Sequence, residues 1–161
     1  SGLLWVFTYY RPVRMDEIAS GLYVGSIEDA GDRSLLAEHR ISVIVSLTHA
    51  KPETGFPPAL TVVRFPMMDG PQNDHQTFLE AVDGALTRWE AGDRVLVHCS
   101  AGASRSPAVA ATVVSLSTDR TPEAAFRQLK ERRAVVDPHE ALLRQAVSVS
   151  NRGREYLKQI E

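Results

Sequence analysis

Cysteine is the scarcest informative residue in this 161-residue chain, which carries a single one, Cys99. A disulfide framework within the chain is therefore excluded, and so is a four-cysteine metal site. Lysine is nearly as rare: Lys51, Lys130 and Lys158 are the three among 18 basic residues, and the other fifteen are arginine, the planar donor suited to oxyanions. A formal net charge of -2 argues against a general affinity for nucleic acid or anionic membrane. No run approaches the roughly 18 consecutive apolar residues of a membrane span, and there are no repeats or low-complexity segments. Gly2 to Tyr10 (GLLWVFTYY) is apolar and aromatic, yet too short to span and without a small-residue cleavage site. What is present, 43% hydrophobic and 24% charged residues, fits one globular domain able to bury a core. The cytoplasm is the expected location. The periodic pattern begins just after Met15, so residues 1–14 read as an extension of upstream or vector-derived residues and 15–161 as the domain. Leu3 to Arg14 is expected on the domain surface or against another chain.

Along the domain, Leu22 to Gly25 (LYVG) reads as a short strand. Ser26 and Asp29 have capping-box spacing at the start of a helix reaching Glu38. Ile41 to Leu47 is a β-branched run typical of a buried parallel strand. Lys51 to Pro58 is a proline-rich loop, and Leu60 to Phe65 is the next strand. The polar loop Asp69 to Asp74 (DGPQND) precedes a helix from His75 to Ala91, whose Phe78, Val82, Ala85, Leu86 and Trp89 share one face. Arg94 to His98 is a further buried strand. Helices follow at Pro107 to Leu116, with Pro107 in the first helical position, and at Pro122 to Arg133, capped by Thr121. A last helix starts at Pro138 and extends to Gln159, with a weak point at Gly153. This alternation implies an α/β fold, a central mostly parallel sheet flanked by helices. Ligands of such sheets bind at the carboxyl ends of strands, which is where Cys99 stands.

The segment His98-Cys99-Ser100-Ala101-Gly102-Ala103-Ser104-Arg105-Ser106 joins a strand to a helix. A short loop of small residues can turn successive backbone N–H groups inward as an anion nest, and the helix N-terminus adds positive potential there. Gly102 supplies backbone freedom, and Ala101 and Ala103 keep the walls thin. Residues Ser100 to Arg105 thus form the expected phosphate-binding ring, with the Arg105 fork holding two oxygens. Such surroundings favour a cysteine thiolate, which can attack phosphorus and form a thiophosphate intermediate. Ser106 is near enough to donate a hydrogen bond to the departing sulfur, and Ser104 is expected to stabilise the loop backbone. His98 faces away from Cys99 if the pleat persists, and its expected task is to fix the loop by hydrogen bonding. Drawn at random from this composition, the pattern around the one cysteine arises on the order of once in tens of thousands of chains.

With its His-Cys-x5-Arg-Ser loop the sequence resembles the protein tyrosine phosphatase superfamily, and HCSAGASRS is similar to the dual-specificity phosphatases within it. The resemblance runs from about Ile18 to Ala146. Ile18 to Gly25 is similar to the family's opening hairpin, and Val136-Asp137-Pro138 with Leu143-Arg144-Gln145 resembles its closing helix motif. His139 departs from the asparagine of many members, a change expected to touch helix capping more than chemistry. The resemblance implies a protein tyrosine phosphatase-like fold and a two-step hydrolysis without metal or cofactor. Cys99 would be the nucleophile, Arg105 would bind phosphate and stabilise the transition state, and Ser106 would assist release of the cysteine. An aspartate on a separate loop would protonate the leaving oxygen and then activate water. Asp69 is the candidate; its rival Asp74 lies where the next helix needs a cap. Asp29, Asp32, Asp93 and Asp137 fit turns or surface positions, and His49 and His75 are expected to face solvent.

Ser100, Ala101, Ala103 and Ser104 are small and uncharged, which suits a phosphorylated side chain better than a highly anionic lipid headgroup. The expected partners are a phosphorylated protein or peptide and a phosphate or other oxyanion in the site, with no nucleic acid. The alternatives are a phosphatase acting on a phosphoinositide or an RNA 5′-phosphate, and a phosphopeptide-binding module without turnover. A sulfurtransferase fits the arginine-serine ending less well. Low-molecular-weight phosphatases and arsenate reductases place their loop near the N-terminus, and arsenate reduction would want further thiols.

Overall fold

The computed structural model describes residues 14–160. The expected extension, except Arg14, lies outside the described residues. Among them, strands β1 (Asp16–Ala19), β2 (Leu22–Gly25), β3 (Val43–Ser46), β4 (Thr61–Arg64) and β5 (Val95–His98) form a sheet ordered β1-β2-β5-β3-β4. β1 pairs antiparallel with β2, and every other pairing is parallel. β5 is central, and its valines and leucine are fully buried. Its register places His98 beside Gly25 of β2 and Ser46 of β3, so three strands end at the base of the Cys99 loop.

Helices α1 (Ile27–Gly31), α2 (Arg33–Glu38), α3 (His75–Glu90), α4 (Arg105–Thr118), α5 (Pro122–Arg132), α6 (Glu140–Arg152) and α7 (Arg154–Leu157) complete the fold, followed by a 3-10 turn at Lys158–Ile160. α3, α5 and α6 all pack on α4. Every residue of α4 from Ser106 to Leu116 is buried. A helix apolar on all sides belongs in an interior, and here it fixes the direction in which the N-terminus of α4 points.

Local chemistry moves several expected boundaries. The single helix expected from Ser26 to Glu38 is two, because the Asp32 carboxylate leaves the helical path and accepts a hydrogen bond from Leu35 N as the cap of α2. The Ser26–Asp29 capping box forms with both of its bonds, but Asp29 is buried at 5% exposure rather than lying at the surface. That burial pushes its carboxyl above the ordinary range, against the hydrogen bonds from Ser26. Helix α4 starts two residues before Pro107, which occupies the third helical position, still within the turn where a missing N–H is harmless. The last helix starts at Glu140 with His139 as its cap, Nδ1 accepting from Ala141 N at 3.0 Å. It breaks at Gly153, whose φ of +78° ends the helical path. His49 is exposed, whereas His75 is half-buried, its Nε2 3.0 Å from the Tyr156 hydroxyl.

Candidate active site

Cys99 follows directly on β5 and is 2% exposed. Its Sγ lies 3.1 Å from Ser106 Oγ, in the first turn of α4, in hydrogen-bond contact. His98 is fully buried and turned away from that sulfur, as the pleat requires. Its Nδ1 is 3.2 Å from the Cys99 carbonyl, which can only accept, so the ring proton sits on Nδ1 and Nε2 accepts from the Ser46 hydroxyl at 2.7 Å. Burial holds the imidazole neutral, with a pKa lowered to about 4.

The loop's carbonyls are fastened on its outer side one after another. Cys99 O meets His98 Nδ1, and Ser100 O accepts from Ile27 N at 3.0 Å. Ala101 O and Gly102 O accept from Arg133 at 3.3 and 2.8 Å, and Ala103 O accepts from Asp137 N at 2.7 Å. None of the described peptide bonds is cis, and a trans peptide points its N–H opposite its C=O. The N–H groups of residues 100 to 104 are therefore turned the other way. Together with the N-terminus of α4 at Arg105 they make a nest for an anion. Gly102 has φ of +69°, and a Cβ there would stand 2.5 Å from Arg133 Nη2 and 2.7 Å from the Gly25 backbone. No other residue fits that point.

Arg105 closes the nest. Its Nη1 donates to the Met67 carbonyl at 3.0 Å, and its Nε is buried without a partner among the described residues. A buried donor left unpaired beside a ring of inward N–H groups is placed to meet an acceptor held there. The Met67 carbonyl begins the loop that carries Asp69, so one guanidinium touches both loops.

Asp69 is exposed, and its Oδ1 accepts from Ser104 Oγ at 2.5 Å. Ser104 in turn accepts from His139 N at 2.7 Å. Its hydroxyl thus ties the Asp69 loop and the start of α6 to the Cys99 loop, instead of serving its own loop's backbone as expected, and α4 is left without a side-chain cap. Asp74 accepts from Thr77 N at 3.1 Å as the cap of α3. Between the two aspartates, buried Asn73 accepts from Met68 N and exchanges hydrogen bonds with Gln145 of α6. Arg133 and the Ile27 and Asp137 backbone groups have no local signal in the sequence, because each acts across a long separation, as does Asn73 in its bonds to Gln145. The described residues assemble no group of three or more His, Cys, Asp or Glu side chains able to hold a metal ion.

Residues 22–152 match the family described as dual specificity phosphatase, catalytic domain. The chain belongs to that family. It is 29% identical to the protein phosphatase Slingshot homolog of Xenopus laevis over 133 residues, which cover 82% of this chain and 19% of that protein. Against human dual specificity phosphatase 28 the identity is 29% over 129 residues, 80% of this chain and 73% of that one. The crystal structure of human DUSP28 superimposes with a TM-score of 0.77 at 26% identity, covering 88% of this chain and 96% of that chain. The chain spans between about a fifth and a third of the length of the Slingshot homolog, rat dual specificity protein phosphatase 5 and the Caenorhabditis elegans tyrosine-protein phosphatase vhp-1.

Proposed function

We propose that this chain is a cysteine-dependent phosphatase that hydrolyses phosphotyrosine and phosphoserine/threonine esters in proteins through a phosphocysteine intermediate. The observation that carries the reading is the nest itself: outward-held carbonyls, an unpaired buried donor on Arg105, and a sulfur 3.1 Å from Ser106 Oγ. In the first step Cys99 Sγ forms the S–P bond while the P–O bond to the leaving group breaks, and protonated Asp69 gives its proton to that oxygen. The N–H groups of residues 100 to 104 and the Arg105 guanidinium carry the equatorial charge. In the second step Asp69 takes a proton from water as the water oxygen attacks phosphorus. The S–P bond then breaks, its electron pair returns to sulfur, and the Ser106 hydroxyl donates to the developing thiolate. Protein substrates are favoured by the small, neutral side chains at positions 100, 101, 103 and 104.

On this reading residues 15–161 are the catalytic domain and 1–14 an extension. A working thiol without a disulfide partner fits the reducing cytoplasm. No helix among the described residues is long and apolar enough to cross a membrane. The test is turnover of an aryl phosphate beside phosphotyrosyl and phosphoseryl/threonyl peptides, a phosphoinositide and an RNA 5′-triphosphate. Release of phosphate from the peptides, lost in Cys99→Ser while tungstate still binds, is the expected result. A wild-type chain that captures phosphopeptides without turning them over, or prefers the lipid or RNA, would replace this reading.

A further inference from the structure

We infer that Arg133 is a positioning residue of the phosphate site: its buried guanidinium sets the direction of the nest and thereby the affinity for oxyanions. The inference rests on the phosphatase reading above and concerns a side chain that meets no substrate.

Arg133 is 1% exposed, a burial seldom met by an arginine without partners on every side. It stands just past the end of α5, where the backbone has left the helix with φ of -140° and ψ of 116°. From there its Nε donates to Gly102 O at 2.8 Å and its Nη2 to Ala101 O at 3.3 Å. Nη1 donates to Arg14 O at 2.8 Å and to Asp16 Oδ2 at 2.9 Å, so the charge is balanced at the N-terminal end of β1.

Two consecutive carbonyls in the middle of the loop thus depend on one side chain, and the bond to Gly102 O is buried. The buried Gly102 carbonyl, deprived of its partner, would turn to find another, and that turn would carry the next N–H out of the nest. Neither flank of the loop can replace these bonds, because Ile27 N and Asp137 N are already engaged with Ser100 O and Ala103 O. Gly102 supplies an independent sign of the same arrangement. Its missing Cβ is the space that admits Nη2, since a carbon there would lie 2.5 Å from it. Lysine cannot stand in, because a single ammonium lacks the planar fork that reaches both carbonyls and Asp16 together.

The experiment measures tungstate binding by calorimetry and aryl phosphate kinetics on folded variants, well below each variant's melting temperature. Arg133→Lys is expected to weaken tungstate binding and lower kcat/KM together by about 10-fold, and Arg133→Gln by about 100-fold, the size of effect that misplaced site geometry produces. Arg64 provides the control: it is half-buried and donates to the carbonyls of Thr48, His49 and Ala50, none of which belongs to the loop. Arg64→Lys is expected to keep tungstate affinity within about twofold even if it melts earlier. A folded Arg133→Lys protein that binds tungstate like the wild type would overturn the inference, as would an equal loss in Arg64→Lys. If neither Arg133 variant folds, Asp16→Ala decides. It removes the carboxylate anchor from a half-exposed position and is expected to weaken tungstate binding about threefold, with no change overturning the inference. A wild-type chain that neither binds tungstate nor hydrolyses aryl phosphate would instead fail the phosphatase reading itself.

Discussion

Residues 98–106 and residues 67–74 border the same site, and they are held in opposite ways. The first is fastened through its backbone, five successive carbonyls each meeting a donor, four of them from outside the segment, and its far end is the start of a helix buried on all sides. The second presents Met68, Asp69, Pro71, Gln72 and Asp74 to solvent and is held chiefly by side chains: the Asn73–Gln145 exchange, the Ser104 hydroxyl and the Arg105 fork. The difference matches the two chemical tasks of the proposed mechanism. Donors that stabilise transition-state charge work best when they need no reorganisation, so their scaffold is rigid. A proton donor that must meet a leaving oxygen and then a water gains from a scaffold able to yield.

The sharpest way to break this division of labour is at Asp69. Asp69→Asn is expected to lower kcat for an aryl phosphate by about 100-fold or more, the range typical of a lost general acid, while tungstate affinity holds. A large fall in tungstate affinity would mean that Asp69 serves binding and that the two loops do not divide the work.

The rigid side has its own signature in pH. His98 is neutral in the fold with a pKa of about 4 against 6.5 ordinarily, so the unfolded chain takes up the proton first. Its contribution to stability is complete above about pH 6.5, is lost as the pH falls toward 4, and does not change further below. The limit set by that lowering is about 3 kcal/mol. Urea unfolding from pH 7 to pH 4 should show this slope in the wild type and a shallower one in His98→Gln. Equal slopes would mean that the ring is not held neutral behind the loop.

How much of this could be read from the sequence follows the reach of each interaction. Cys99, Arg105 and Ser106 belong to one short strand-loop-helix segment, and their spacing alone carried the expectation of an oxyanion nest. The β-branched runs announced the parallel strands because burial on both faces demands them. The start of α4 was displaced because Pro107 resembles a first-position proline, while the true first turn begins at Arg105, its cap serine engaged elsewhere. Ser104, Asp29 and His75 were misjudged for the same physical reason: their partners or burial arise only when distant elements meet. Arg133 belongs with them, since nothing in the run Lys130 to Arg133 marks the one side chain of the four that turns inward.

Smaller effects should separate anchoring from chemistry within the Asp69 loop. Asn73→Ala removes the amide that holds Met68 N and Gln145, and kcat is expected to fall about 10-fold with tungstate affinity within about twofold. A matching loss of tungstate affinity would mean that the two loops form one rigid body. Asp74→Asn is expected to change kcat less than twofold, because asparagine caps a helix about as well as aspartate. A larger loss there would move the acid to the other end of the loop.

The most direct measurement is rapid acid quenching during turnover of an aryl phosphate, followed by peptide mass spectrometry. The expected result is a phosphoryl group on the peptide carrying Cys99, enriched in Asp69→Asn if breakdown of the intermediate slows more than its formation, and absent from Cys99→Ser. Turnover that persists in Cys99→Ser, or a phosphoryl group on any other residue, would contradict the reading of Cys99 as the nucleophile.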